Sequence, residues 1–174
     1  MQIKFIVIIV TIIINLIENK KLKEIAMSFE QLKLKHQLCH RLYMASNSIA
    51  RAYREPLTEI NLTYPQYVVM MALWDQDKIT IAELIETTAI DGSAMTQILK
   101  KMADKSLLAV IKDEKDQRKR LIQLTRAGQD LKLQAVDIPG KIRCKFNSID
   151  SNQALQLMQS LDLVIHDLNK KEDQ

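Results

Sequence analysis

The stretch from Ile79 to Thr125 constrains the fold more than any other part of the chain. Thr80-Ile-Ala-Glu83 has the form of a capping box, in which a threonine and a glutamate three residues on satisfy each other's free N–H groups at a helix start. The helix it opens is short and ends near Thr87, because Ala89-Ile-Asp-Gly92 reads as a tight connection. Ser93 then begins a second helix, with Met95, Ile98, Leu99 and Met102 at apolar spacing and Lys105 at its end. Two short helices joined by about four residues, the second rich in polar and basic side chains, form a helix-turn-helix. Such spacing is common among helical proteins, and it gains weight from the segment C-terminal to it. Leu107 to Ile111 and Leu121 to Leu124 are β-prone runs flanking the polar loop Lys112–Arg120. A hairpin with a charged tip, attached to such a helix pair, is a wing. A winged helix-turn-helix that reads DNA is therefore expected between Ile79 and Thr125.

Elsewhere the apolar residues repeat at helical spacing. Leu32, Leu34, Leu38, Leu42, Ala45, Ile49, Ala52 and Tyr53 predict one long amphipathic helix from Phe29 to Arg54, ended by Pro56. On those boundaries Cys39 lies well inside the helix, away from its N-terminus. Thr63-Tyr-Pro-Gln66 is another capping box, with Pro in the first turn, and opens a helix running to Trp74. Thr125 caps a helix to about Asn147, and Asp150 or Ser151 caps a last one through Leu155, Met158, Leu161, Val164, Ile165 and Leu168. Only three Gly and three Pro interrupt 174 residues, so the fold class is mainly α with a small β-wing. The first helix and the last two are too long and too apolar on one face for so small a winged domain to bury. A second copy of the chain is expected to cover them, which makes a homodimer. Residues 27–174 contain no internal repeat, Gly/Ser linker or low-complexity segment and read as one domain.

Charge supports a nucleic-acid partner only through its distribution. The net charge is +4, yet Ser93 to Arg126 alone carries nine Lys or Arg against four Asp or Glu. Residues 1–26 carry four Lys and two Glu, so the rest of the chain is acidic. A basic segment in an acidic body is the footprint of a phosphate-contacting face, and it equally fits a solvated, salt-bridged helix surface. Phe5 to Ile17 is almost wholly Ile, Val and Leu, but it is about 13 residues long where a spanning helix needs roughly 20. No clean small-residue cleavage site comes after it. Met27 opens a stretch of different composition and is expected as the natural start. Residues 1–26 then form an apolar N-terminal extension, not native or disordered, with a membrane-associating tail as the alternative. A cytoplasmic protein without stable membrane association is expected.

Leu62-Thr-Tyr-Pro-Gln-Tyr67, Thr80-Ile-Ala-Glu-Leu84, Thr96-Gln-Ile-Leu-Lys-Lys-Met102, Asp116-Gln-Arg118 and Leu124-Thr-Arg-Ala-Gly128 together resemble the MarR family of bacterial regulators, over essentially all of residues 29–170. The specific combination is the wing's Asp-x-Arg and, after a strand, Leu-Thr-x-x-Gly. The resemblance implies a dimeric winged helix-turn-helix. Short polar side chains on a recognition helix can approach base edges in a major groove. Ser93, Thr96 and Gln97 are the candidates for that role, with Lys100 and Lys101 nearer phosphates. In the family the wing arginine enters the minor groove and a nearby aspartate orients it; by position these are Arg118 and Asp116. A narrow A·T-rich groove favours such an arginine, so a pseudo-palindromic, A/T-rich duplex operator is the implied partner. Read without the resemblance, Asp116 and Arg118 form an ion pair across an exposed loop. One departure is visible: Ser106 stands where a helix-terminating Gly is usual.

Leu38-Cys-His-Arg-Leu-Tyr43 resembles the organic-hydroperoxide-sensing (OhrR-like) branch of that family, of the two-cysteine type. The resemblance implies that Cys39 is the reactive thiol and that Tyr43, Tyr53 and Tyr64 are the phenols donating hydrogen bonds near its sulfur. It also implies that Cys144 is the resolving cysteine. A thiolate attacked by peroxide becomes a sulfenic acid that a second thiol traps as a reversible disulfide. The other reading makes both cysteines small buried hydrophobes. His36, His40 and His166 show no ligand spacing, so no metal and no cofactor are expected. No Cys-x-x-Cys or thioredoxin-like βαβ pattern is present, and an enzyme is not expected. The implied function is repression relieved by organic hydroperoxide through Cys39 and then Cys144 of the other subunit. The alternative is relief by a small phenolic or other ligand without cysteine chemistry.

Overall fold

The computed structural model describes residues 15, 18–20, 29–114 and 116–170. Apart from those first four positions, which are helical, the expectation for residues 1–26 lies outside the described residues. The chain divides into two compact units, residues 1–51 and 52–174.

A short 3-10 turn, Leu34–His36, precedes an α-helix, α1 (Leu38–Glu59), whose residues 38–51 belong to the first unit and 52–59 to the second. The continuous helix expected from Phe29 is interrupted: Phe29 and Glu30 are helical, but Gln31–Gln37 are not α-helical, and Lys33 and Gln37 are extended on either side of the turn. Local side-chain bonds account for the difference. Glu30 draws in Lys33, Lys35 and His36, and the Arg41 guanidinium donates to the Lys35 carbonyl at 2.8 Å. These contacts hold a compact turn that competes with continuous helix.

The end of α1 also differs from expectation. It runs through Pro56 to Glu59, and Pro56 and Leu57 are its two buried residues. Proline removes one helix hydrogen bond, and burial of its ring with Leu57 offsets that loss. The helix stops instead at Asn61, which takes a left-handed conformation with φ 56°. There the Leu62 N–H donates to the Leu57 carbonyl at 2.8 Å and the Asn61 N–H to Thr58 at 3.0 Å, a Schellman ending.

In the second unit α2 (Tyr64–Asp75) opens at the expected capping box, where the Thr63 N–H donates to Gln66 Oε1 at 3.1 Å. A two-residue strand, β1 (Ile79–Thr80), leads into α3 (Ile81–Thr88) and then α4 (Gly92–Asp104). Strands β2 (Leu108–Lys112) and β3 (Arg120–Leu124) form the hairpin, and the antiparallel sheet has the order β1-β3-β2. Its register pairs Ile79 with Ile122 and Leu108 with Leu124. Two residues are too few to show any periodicity, which is why β1 escapes a reading of the sequence. The core gathers Leu57, Tyr67, Met70, Leu73, Leu84, Met95, Met102 and Ile122, all essentially inaccessible to solvent.

The single helix expected from Thr125 to Asn147 is two: α5 (Arg126–Ala135) and α6 (Ile138–Arg143). Pro139 lies in the first turn of α6, where its missing N–H costs nothing, whereas a continuous helix would need that N–H to pair with the Ala135 carbonyl. The last helix, α7 (Ser151–Asn169), is capped by the Asp150 carboxylate, which accepts the Gln153 N–H at 2.8 Å. No residue of α7 is buried, and Leu155, Leu157, Met158, Leu163, Ile165 and Leu168 are exposed.

The Leu124-Thr-Arg-Ala-Gly128 motif has a structural reason. Thr125 Oγ1 accepts the Gly128 N–H at 3.1 Å and donates to the Ser106 carbonyl at 2.6 Å, joining the start of α5 to the end of α4. A Cβ on Gly128 would lie 2.1 Å from the Leu107 carbonyl oxygen, so only glycine lets α5 approach the backbone there. The Gly128 carbonyl in turn accepts the Trp74 indole N–H at 2.9 Å, tying α2 to α5.

Candidate nucleic-acid interface and cysteine positions

Helix α4 is fastened at its start by Asp91, whose Oδ1 accepts the Ser93 N–H at 2.7 Å, the Ser93 hydroxyl at 2.7 Å and the Ala94 N–H at 3.1 Å. Those bonds, the Ser93 hydroxyl first, hold the Asp91 carboxyl below its ordinary range. Met95, Leu99 and Met102 bury one face. Ser93, Thr96, Gln97, Lys100 and Lys101 are exposed on the rest. The Thr96 hydroxyl donates to the Gly92 carbonyl at 2.8 Å. The hydroxyl donors of Ser93 and Thr96 are thus engaged by Asp91 and Gly92, so each oxygen keeps only acceptor capacity, the kind that pairs with the exocyclic amino groups of adenine or cytosine.

At the other end of α4, Ser106 occupies the left-handed position with φ 57°, the conformation that glycine adopts most cheaply. The Leu107 N–H donates to Met102 at 3.0 Å and the Ser106 N–H to Ala103 at 2.8 Å. The departure from glycine therefore preserves the ending and adds backbone strain.

In the wing, Asp116 Oδ1 accepts the Arg118 backbone N–H at 3.0 Å, and the Lys119 N–H donates to the Asp116 carbonyl at 2.9 Å. Among the described residues no ion pair joins the Asp116 and Arg118 side chains. Asp116 shapes the turn through the backbone, and the Arg118 side chain is exposed. Lys100, Lys101 and Arg118 likewise make no ion pair among the described residues. At the start of α3, hydrogen bonds from the Thr80 hydroxyl and N–H lower the Glu83 carboxyl, and the wing's Lys119 adds to this.

Cys39 is exposed and is the second residue of α1, so the expectation that it lies well inside its helix is corrected. It stands in the first turn, where helix N–H groups lack intrahelical partners. Tyr43 comes one turn later and is 67% exposed. In the second unit Tyr53 and Tyr64 meet with ring centroids 5.0 Å apart. Tyr67, which the sequence did not single out for the sensor, extends the cluster at 5.8 Å from Tyr53 and reaches Trp74 at 6.2 Å. Burial raises the Tyr53 phenol, with Tyr64 adding to it, and burial likewise raises Tyr67. Both therefore stay protonated donors near neutral pH. Cys144 is exposed and caps the end of α6 rather than lying within a longer helix; its N–H donates to the Gly140 carbonyl at 3.1 Å.

A groove of about 310 Å³ lies between α2 and the α5–α6 segment, lined by Tyr67, Met71, Trp74, Lys132, Val136 and Pro139 among others. Nothing in the sequence pointed to it, because its walls come from helices more than fifty residues apart. Among the described residues no group of three or more His, Cys, Asp or Glu could hold a metal, and no helix is long and apolar enough to cross a membrane.

Residues 62–119 match the MarR family. Over 143 residues the chain is 34% identical to the organic hydroperoxide resistance transcriptional regulator of Bacillus subtilis (strain 168), covering 82% of this chain and 97% of that protein. It is 33% identical over 135 residues to the HTH-type transcriptional regulator SarZ of Staphylococcus aureus (strain USA300), covering 78% of this chain and 90% of that one. Among solved structures, Bordetella bronchiseptica BpsR, whose DNA binding is regulated by 6-hydroxynicotinic acid, superposes with a TM-score of 0.69 at 26% identity. That likeness covers 74% of this chain and 93% of BpsR.

Proposed function

The chain belongs to the MarR family, and on that premise we propose that it is a cytoplasmic, homodimeric, DNA-binding transcriptional repressor that senses organic hydroperoxides through Cys39. The observation that carries the DNA-reading half is α4, a helix anchored by three buried apolar residues with its polar and basic face exposed beside the wing. Ser93, Thr96 and Gln97 read base edges in the major groove, Lys100 and Lys101 neutralise phosphates, and Arg118 enters the minor groove on a turn shaped by Asp116. A dimer presents two such sets to a pseudo-palindromic operator.

Support for the sensing half comes from the Bacillus relative, named for organic hydroperoxide resistance, and from the exposure of both cysteines. The Cys39 sulfur attacks the terminal oxygen of the hydroperoxide. The O–O bond breaks, an alcohol leaves, and Cys39 becomes a sulfenic acid. The Cys144 thiol of the other subunit then attacks that sulfur, water leaves, and a disulfide forms. Tyr43, Tyr53 and Tyr64 supply phenolic donors around the reacting sulfur. The covalent link shifts helices between subunits, the recognition helices no longer match the half-site spacing, and DNA is released. Residues 27–174 act as one functional domain, with dimerisation helices at both ends.

A gel-shift titration with cumene hydroperoxide, comparing wild type, Cys39→Ser and Cys144→Ser, tests this reading. Wild type is expected to release its operator, and Cys39→Ser to stay bound at all doses. Release of Cys39→Ser by peroxide would refute the thiol mechanism. Oxidised wild type running as a monomer on non-reducing gels would remove the intersubunit role of Cys144. The groove beside Trp74 favours a second reading, in which a small phenolic ligand relieves repression regardless of Cys39.

A further inference from the structure

Lys105 stands at the end of α4 and belongs, by sequence, to the basic segment that points toward phosphates. Its environment is unlike that of Lys100 and Lys101. The ammonium of Lys105 donates to the Asn61 carbonyl at 2.6 Å and to Gln66 Oε1 at 3.1 Å. Gln66 is only 3% exposed, and the same Oε1 accepts the Thr63 backbone N–H at 3.1 Å. One amide oxygen therefore joins the start of α2, where Tyr64 lies, to the end of α4. The second acceptor belongs to Asn61, whose left-handed conformation ends α1 and fixes the direction of its carbonyl. Bonds from a charged donor are the stronger kind, and a buried amide oxygen that loses one of two donors has no water to replace it.

We propose that Lys105 is a positioning residue for DNA reading: it neutralises no phosphate but ties the last turn of α4 to the turn that opens α2. The placement of the recognition helix in the groove then depends on the segment that carries Tyr64. This rests on the DNA-reading role given to α4 above and adds a physical link between that helix and the aromatic cluster. Base-edge contacts tolerate errors of only about 0.5 Å in the elements that present them, so a loosened tie costs affinity without removing a contact.

The test uses the full chain and a duplex selected by the wild type from a randomised pool, with affinities measured across a range of salt. Lys105→Met is expected to bind about tenfold more weakly with an unchanged slope of log K against log salt, whereas Lys100→Met loses about 1 from that slope. Gln66→Met is expected to match the Lys105→Met loss, and the double variant to be no weaker than the worse single. A slope reduced by about 1 in Lys105→Met would make it a phosphate contact and overturn the proposal. Unchanged affinity with a lowered Tm would overturn it too, leaving a strut without a role in recognition. Additive losses in the double variant would break the link to Gln66. Hydrogen exchange of the DNA-free protein reads the tie itself: amides 101–107 should exchange faster in Lys105→Met and not in Lys100→Met. Equal exchange in both would refute the tie, and this readout decides the matter even where Gln66→Met does not fold. Failure of the wild type to select any duplex would remove the DNA-reading premise, and the positioning role with it, while exchange still reports the tie.

Discussion

Ser106 shows how one side chain can be at odds with its backbone without changing the fold. Its φ of 57° places a residue with a Cβ where the left-handed region costs about 1–2 kcal/mol. Glycine would remove that strain and lose about 0.5–1 kcal/mol through its freer unfolded chain. Ser106→Gly is therefore expected to stabilise the protein by about 0.5–1 kcal/mol, read as a raised urea midpoint with an unchanged m-value. A lowered midpoint would mean that the serine contributes something its backbone does not reveal. The Ser106 carbonyl, which the Thr125 hydroxyl uses, is kept in either case. At this scale the sequence was informative wherever a residue type has one backbone consequence, as at Thr80, Thr125 and Asp150; Asp91, read as part of a tight connection, emerged as the cap of α4 only in the structure. The sequence was silent about Lys105, because nothing in a lysine's neighbours along the chain says whether its ammonium faces solvent or a buried amide.

Helix α4 depends on the charge of its cap. The Asp91 carboxyl is lowered in the folded protein by the Ser93 hydroxyl and then by the Ala94 and Ser93 N–H groups. A depressed folded value means that the stabilisation is complete above the unfolded carboxyl's ordinary range near 3.8 and disappears as pH falls through the lower folded value. Asp91→Asn keeps an N-cap acceptor and removes the titration. Wild type is expected to exceed Asp91→Asn in Tm above about pH 5, and the gap to close as pH falls below about 4. A gap that stays constant from neutral pH to about pH 3 would mean that the cap acts through geometry alone. The elements themselves were largely legible, because capping boxes and apolar spacing are local signals. Their ends were less so. The unbroken run from Phe29 failed because Glu30 and Arg41 hold a competing turn, and the Pro56 stop failed because a packed ring outweighs one lost hydrogen bond.

For the whole molecule the informative feature is α7, nineteen residues long with none buried. A helix carrying that many exposed leucines needs an apolar partner, and the proposed dimer supplies it from a second copy of the chain. Sedimentation equilibrium is expected to give a dimer. Leu163→Glu, at a residue 66% exposed in the single chain, is expected to raise the dimer dissociation constant by tenfold or more, as loss of roughly 1.5–3 kcal/mol of burial requires. A wild-type monomer at micromolar concentration, or a Leu163→Glu dimer of full strength, would assign α7 another role. Because operator half-sites are read in pairs, the same variant should weaken operator binding far more than it weakens helicity.

The sequence by itself determined the helix pair, the wing and their order, since caps, turn residues and apolar periods act over about four to ten residues. Through its resemblance to a family it also supplied the candidates for reading DNA and for meeting a peroxide, since such candidates are picked by residue type within a motif. Tertiary structure alone decided that Tyr67 joins Tyr53 and Tyr64, that Gly128 must be glycine, and that Lys105 spends its charge on Gln66 and Asn61. Each of those depends on segments brought together from far apart in the chain. A pattern confined to a few successive residues holds no record of what will face them once the helices have packed.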